Sequence, residues 1–359
     1  MNFLFYHTPL FYLIQSVWRD EAFSYFMAKP PVFTIIKNTA SDFNPPLYYV
    51  LLHFWMMGGT SDIWLRLLSF LPHLGTTYIS YRFAKKLFSH RFAVFVALFT
   101  FFNPMLLYYA FEIRMYSFYA FFTLCSLYFF YLKNWKWYSI TSILGLYTHS
   151  FFPLILFSYL LVLKIERKFT RENVFHTLFP FFFFLPWIAV LLKQFLNSKN
   201  SWLFPVDLQL ITSALGNLFT NYEGTPGNWW WATAFLSLII LIFFFFGFRQ
   251  NKKKSLLFLI PIFVPLAIIL GYSLFKRPLY VNRYMIFVTV FEIWGIALGI
   301  WSIKNVLLKS TLATFWIVFI LILNSVIAPY HKKADFKTTF AEINAIATSR
   351  DYVYTKTPI

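Results

Sequence analysis

Tyr81–Arg91 reads YRFAKKLFSHR, and it separates the apolar run 63–83 from the apolar run 92–110. It carries Arg82, Lys85, Lys86 and Arg91 and no carboxylate. Lys and Arg gather in the cytoplasmic loops of membrane proteins, so an apolar run on either side of such a cluster reads as a crossing. The same signal recurs at Lys133–Lys136, Lys164–Arg171, Arg249–Lys254 and Lys304–Lys309. These clusters set the sidedness of everything between them.

Composition agrees with this reading. Of 359 residues, 59% are hydrophobic and only 12% are charged, where soluble domains carry about 25%. The formal net charge of +18 resides largely in the loop clusters, and no basic domain stands apart, so nucleic acid is not the expected partner. The single cysteine, Cys125, excludes an intrachain disulfide and a cysteine-based zinc site.

Working outward from Tyr81–Arg91 gives about eleven crossings, with the amino terminus inside and the carboxyl terminus outside. Residues 2–17 cross outward first, although they are short for a span. They lack the basic start of a signal peptide. A single crossing is allowed between there and Arg82, so 63–83 is the span. The shorter run 45–57 is a juxtamembrane helix that begins at Pro45-Pro46, where missing amides are tolerated. Residues 92–110 and 115–132 follow. The run 137–163 has basic clusters at both ends and must be a hairpin, turning near Tyr147–Ser150. Residues 174–193, 229–247, 255–275, 284–303 and 310–328 complete the set, with a surface helix near 207–219 in the outer loop. The division is thus a transmembrane domain, 1–329, and a short extracytoplasmic tail, 330–359. Asp351–Tyr354 reads as one strand, which packs elsewhere or belongs to a longer soluble domain. No internal repeat is visible.

This topology places Asp20, Glu21, Asp42, Glu112, Arg114, His149, Arg277 and Arg283 on the outer side. An adjacent carboxylate pair beside a membrane segment is costly, and so a functional candidate. A carboxylate can accept a proton from an attacking group. Arginine grips phosphate with two parallel donors and stays charged near lipid. Each residue also has an ordinary reading. Glu112 and Arg114 can snorkel to the interface. Arg277 and Arg283 can contact lipid headgroups. His149 can be a satisfied polar group in a helix break. Asp42 can cap the Pro45 helix. Arg66 pairs with Asp62 or with an acid of the first loop. Glu292, inside a span, is expected to be paired within the bundle.

Taken in order, these segments resemble the bacterial GT-C membrane glycosyltransferases, the relatives of protein mannosyltransferases and of the lipid A aminoarabinose transferase. The residues that carry the resemblance are Trp18-Arg-Asp20-Glu21-Ala-Phe-Ser24, Asn44-Pro45-Pro46-Leu-Tyr48-Tyr49, Trp64-Leu-Arg66, Tyr109–Tyr116, Leu146–His149 and Arg277-Pro…Arg283-Tyr284. The resemblance implies a polytopic GT-C-like helical bundle in the plasma (inner) membrane. It implies transfer of a sugar from a polyprenyl-phosphate donor to a lipid, glycan or protein acceptor, with inversion by direct displacement. Asp20 is then the catalytic base, and Glu21 helps hold the acceptor or the loop. Glu112, Arg114, Arg283, Arg277, Tyr116 and His149 face the carrier phosphate and sugar, while Asp42, Pro45, Pro46, Tyr48 and Arg66 organise the loop and acceptor. No cofactor is required, and metal dependence stays open. The family often has His before Pro-Pro where this chain has Asn44, which weakens a metal role there. A lipid-linked-sugar flippase would instead string charges toward the midplane. An oligosaccharide ligase would share the carrier and use a large late outer loop, as at 194–228.

Overall fold

A computed structural model describes residues 6–197, 205–224, 227–331, 333–334 and 336–346. Among them every regular element is helical. Five helices are long and apolar enough to cross a membrane, or six if one bent pair is counted as a single span.

Among the described residues of the first expected crossing, Leu10–Ile14 (α1) is a short helix, and Gln15 leaves it in an extended conformation. The physical reason lies in Arg66, whose guanidinium accepts nothing and needs carbonyls. It takes those of Leu13 (2.8 Å), Gln15 (2.6 Å) and Ser16 (3.4 Å), so these oxygens are not spent on a helix ladder.

The first loop folds as three short helices, Arg19–Ala28 (α2), Val32–Thr39 (α3) and Leu47–Trp55 (α4). Pro30-Pro31 separates the first two, since neither proline can continue a helix from within. The 9 residues of α4 would cover about 14 Å, far short of a bilayer core. This is the short helix expected after Pro45-Pro46. Its start is pinned by the Leu47 amide on the Tyr147 carbonyl (3.1 Å), and Tyr48 meets Ser69 at 3.4 Å. Asp42 does not cap it, because no side chain caps α4. Instead the Asp42 carbonyl, with those of Thr39 and Ala40, receives the Gln194 amide from α11.

Asp62–Leu87 (α5) is the long helix read at 63–83. The run 92–110 is broken rather than straight. His90–Phe101 (α6) and Pro104–Ala110 (α7) meet at 58°. Asn103 is the hinge: its side chain caps the amides of Met105 and Leu106, and Pro104 begins the new helix. Tyr116–Tyr131 (α8) follows. Trp135–Leu146 (α9) and Phe152–Ile165 (α10) form the expected hairpin. Arg171–Asn197 (α11), Leu208–Thr220 (α12), capped by Asp207 and buried from Ser213 to Thr220 rather than lying on the surface as expected, Trp230–Gln250 (α13), Lys252–Phe275 (α14), Ile286–Trp301 (α15), Val306–Ile327 (α16) and Phe336–Ile346 (α17) follow. The strand read at Asp351–Tyr354 lies outside the described residues.

At the centre stands α15, with Ile286 to Ile300 all buried. Its contact with α13 is made through glycines, as in close helix pairs in membranes. A Cβ on Gly299 would lie 2.3 Å from the Phe243 carbonyl oxygen. Gly299→Leu is therefore expected to lower stability by about 1–3 kcal/mol through overpacking. Gly271→Leu, where a Cβ meets nothing within 4 Å, should be close to neutral. Unfolding in detergent followed by tryptophan fluorescence compares the two, and equal midpoints would refute the close packing.

Glu292 corrects the sequence reading. It is fully buried in α15, and neither carboxylate oxygen has a partner among the described residues. The surrounding spans carry their Lys and Arg near helix ends, and among the described residues none pairs with it.

Candidate functional site

The site forms where α2, the α7–α8 link, the turn before α15 and the segment after α16 converge. Two residues of the first helical turn of α2 begin it. Asp20 and Glu21 are neighbours in α2, and adjacent helical side chains diverge by about 100°. They therefore enter different surroundings.

Glu21 turns inward and is fully buried. Arg66 grips both its oxygens, Nε to Oε1 at 3.0 Å and Nη2 to Oε2 at 2.9 Å. The Ile113 amide adds a donor at 3.1 Å, and the Trp18 amide one at 3.4 Å across the first helical turn. Lys333 Nζ completes the shell at 3.0 Å. Burial alone would raise this carboxyl, but Lys333 and then Arg66 outweigh it and hold it below the usual value. Its lone pairs are engaged by the fold, so Glu21 is built to position rather than to take up a proton. Arg66 finds its acid in the first loop.

Asp20 turns the other way. Its side chain is 25% exposed, and Oδ2 lies 3.4 Å from Arg283 Nη2. Arg283 arrives from the 3-10 turn Asn282–Met285, anchored by Asn282 Nδ2 on the Tyr222 carbonyl (2.9 Å). Arg114 approaches from the α7–α8 link. Its Nη1 reaches the Asp20 carbonyl and the Ser24 hydroxyl, both at 3.4 Å, and its guanidinium lies over the rings of Phe23 and Tyr116. The backbone turns there through the Arg114 amide on the Glu112 carbonyl (2.7 Å).

Glu112 is buried and accepts Trp18 Nε1 at 2.9 Å through one oxygen, while the other has no partner among the described residues. Burial raises its carboxyl above the usual range, and Lys333 acts against that rise. His149 sits in the α9–α10 turn, stacked on Tyr119 at 4.3 Å. Burial, followed by the charge of Arg114, lowers it to about 3, so its imidazole is neutral. Burial pushes the Tyr49 phenol up to about 12, leaving it a neutral donor.

A group of orphaned polar atoms marks the place. Arg114 Nε, Arg283 Nε, His149 Nε2 and the Tyr49 hydroxyl are buried without partners among the described residues. Buried polar atoms are nearly always satisfied, so a cluster of exceptions points to a ligand. Arg66, Arg114, Arg283 and Lys333 face Asp20, Glu21 and Glu112, and Glu223 adds a fourth carboxylate whose charge acts with Arg283. Among the described residues, no three His, Cys, Asp or Glu side chains converge as a metal site.

Not every expected residue joins. Arg277 Nη2 bonds the Phe195 carbonyl at 2.6 Å, and its guanidinium covers the Phe195 ring at 4.4 Å. It is committed to the end of α11, and no contact ties it to Asp20, Arg114 or Arg283 among the described residues. Asp42, Pro45, Pro46 and Tyr48 serve the loop's docking against α5, α9 and α11, as described above. Conversely, sequence reading placed Trp18, Ser24 and Tyr49 in its motifs without giving them a role, and it missed Lys333. For Lys333 a signal existed: His331-Lys332-Lys333 is a basic cluster directly after a span, on the side where basic clusters are not expected.

No protein-family model and no curated protein matches this sequence. Among solved structures, the chain is similar to the crystal structure of ArnT from Cupriavidus metallidurans in the apo state, at 17% identity and a TM-score of 0.49. The match covers 72% of this chain and 49% of that one, so this chain spans about half the length of that structure.

Proposed function

We propose that the chain is a membrane glycosyltransferase that moves a sugar from a polyprenyl-phosphate carrier to an acceptor at the extracytoplasmic face. One observation carries the reading: a partly exposed carboxylate, Asp20, lies 3.4 Å from Arg283 with Arg114 alongside, while its neighbour Glu21 is locked away. In the reaction, the acceptor oxygen or nitrogen forms a bond to the anomeric carbon as the bond to the carrier phosphate breaks. The electron pair leaves with the phosphate, and the acceptor proton passes to Asp20. Arg283 and Arg114 receive the phosphate charge through their open donors. In the absence of donor, Arg283 pairs with Asp20. An arriving phosphate competes for that guanidinium and frees the carboxylate for the acceptor. The orphaned His149 Nε2 and Tyr49 hydroxyl suit sugar hydroxyls. A flippase needs charges strung through the bundle, and Glu292, buried there, has no hydrogen-bond partner among the described residues.

Donor binding tests the assignment. Arg283→Ala removes a charge-assisted contact worth about 1.5–3 kcal/mol, so Kd for a polyprenyl-phosphate sugar should rise about tenfold to a hundredfold. Arg277→Ala should change it by less than about twofold, since that residue holds α11. Equal effects of the two would place the phosphate elsewhere. Absence of transfer by the wild-type protein in liposomes, across a panel of carrier-linked sugars and acceptors, would overturn the reading itself.

A further inference from the structure

Lys333 belongs to no helix, yet its side chain is 3% exposed. It enters the site from a strap that follows α16, described at His331 and Lys333. Gln15 holds this strap from both sides. Its Oε1 accepts the Lys333 amide at 2.6 Å, and its Nε2 donates to the His331 carbonyl at 3.1 Å. The His331 ring packs against Tyr108 (4.9 Å) and Tyr12 (6.3 Å) and reaches Asn221 at 3.4 Å. The Lys333 ammonium then lies between the faces of Trp18 (6.0 Å) and Tyr108 (5.9 Å), 3.0 Å from Glu21.

Such a lysine is costly to bury. Burial lowers its ammonium, and Glu21 and then Glu112 act against that lowering. Glu21 already has Arg66, so charge balance at that carboxylate alone does not call for a second cation. What Lys333 adds is a link to the other acidic element. Trp18 lies under it, and Trp18 Nε1 holds Glu112. Trp18 also immediately precedes α2, whose second residue is Asp20.

We propose that Lys333 is a positioning residue: the strap after the last span locks the Asp20–Glu21 helix to the Glu112–Arg114 link by placing one ammonium against Glu21 and over Trp18, whose indole N–H holds Glu112. The inference rests on the glycosyltransferase reading for its kinetic consequence but not for the lock itself. Lys333 acts through Trp18 and Glu21 and leaves the carrier phosphate to Arg114 and Arg283.

Two measurements on the full-length protein test it. The first needs no activity. A water-soluble N-hydroxysuccinimide ester should label exposed Lys193 and Lys276 and spare Lys333, with fragment spectra separating it from Lys332. Gln15→Ala, which frees the strap without touching a charge, should raise Lys333 labelling at least about tenfold. Ready labelling of Lys333 in the wild type, or no rise in Gln15→Ala, would overturn the lock whatever the protein transfers. The second is kinetic. Lys333→Met should lower kcat about tenfold to a hundredfold with donor Kd within about threefold, and Lys333→Arg should restore most of kcat. A Kd raised tenfold or more by Lys333→Met would make Lys333 a phosphate ligand instead. An unchanged kcat, or no rescue by Arg, would refute positioning. Should Lys333→Met fail to fold, the Gln15→Ala variant carries the kinetic arm, with the same fall in kcat at constant Kd. If the wild type transfers nothing, the functional reading fails, and the labelling result still decides the lock.

Discussion

Arg66→Met is expected to destabilise the protein by about 3–5 kcal/mol, the largest loss of any single change at the site. Arg66 is fully buried and donates five hydrogen bonds, two to Glu21 and three to the carbonyls of Leu13, Gln15 and Ser16. Methionine fills much of its volume but donates nothing. Three buried carbonyls are then orphaned, and Glu21 keeps only Lys333 as a cationic partner. Thermal or denaturant unfolding in detergent measures the loss, and a fall below about 1 kcal/mol would show that the cluster contributes little. Replacing the pair together, Arg66→Met with Glu21→Leu, should recover only part, because the carbonyls remain unpaired and Lys333 loses its closest carboxylate. The pH dependence has a defined sign. Glu21 is lowered on folding, so its contribution is present above its ordinary value of 4.5 and is lost as pH falls through the depressed native value. Wild-type stability should therefore fall on acidification below pH 4.5, and Arg66→Met should show a shallower fall.

Much of this architecture was legible because membrane helices announce themselves by composition. The hairpin at Trp135–Ile165 followed from basic residues at both its ends, and a helix at Leu208–Thr220 from its place in a polar loop, although its second half is buried and not at the surface. The break at Asn103 was masked by the apolar residues on both sides of it, although Asn-Pro is a helix-start signal. The extended backbone at Gln15 has a cause no local pattern holds: an arginine 51 residues away takes the Gln15 carbonyl.

Within the site, chemistry was more legible than direction. Asp20 and Glu21 read as a pair, but only the pitch of α2 and the position of Arg66 decide which one faces the arginines of the phosphate side. Arg277 and Arg283 carry the same group six residues apart. The 3-10 turn at Asn282 brings the second inward, while Phe195 holds the first. Lys333 meets Glu21 across 312 positions of sequence, beyond the reach of any spacing argument.

Asp20→Asn is expected to lower the rate of sugar transfer by about 10²–10⁴-fold, the contribution typical of a positioned general base. The change is nearly isosteric and keeps a side chain able to face Arg283, so the fold should survive; the Asp20–Arg283 pair is partly exposed and contributes at most about 1 kcal/mol. Donor affinity should move opposite to Arg283→Ala. With the carboxylate gone, the phosphate no longer competes for the guanidinium, and Kd should fall by up to about fivefold. A variant that binds donor at least as well as the wild type yet transfers two or more orders of magnitude more slowly would separate chemistry from binding. Glu21→Gln should show the converse: a loss of stability of the kind argued for Arg66, with the transfer rate per folded molecule reduced far less. Transfer assays in proteoliposomes with labelled carrier-linked sugar, normalised to folded protein, distinguish the two. Wild-type rates in Asp20→Asn would remove Asp20 from the chemistry. A selective loss in Glu21→Gln would mean that the buried carboxylate leaves Arg66 during turnover, against the geometry of five donors gathered on its two oxygens.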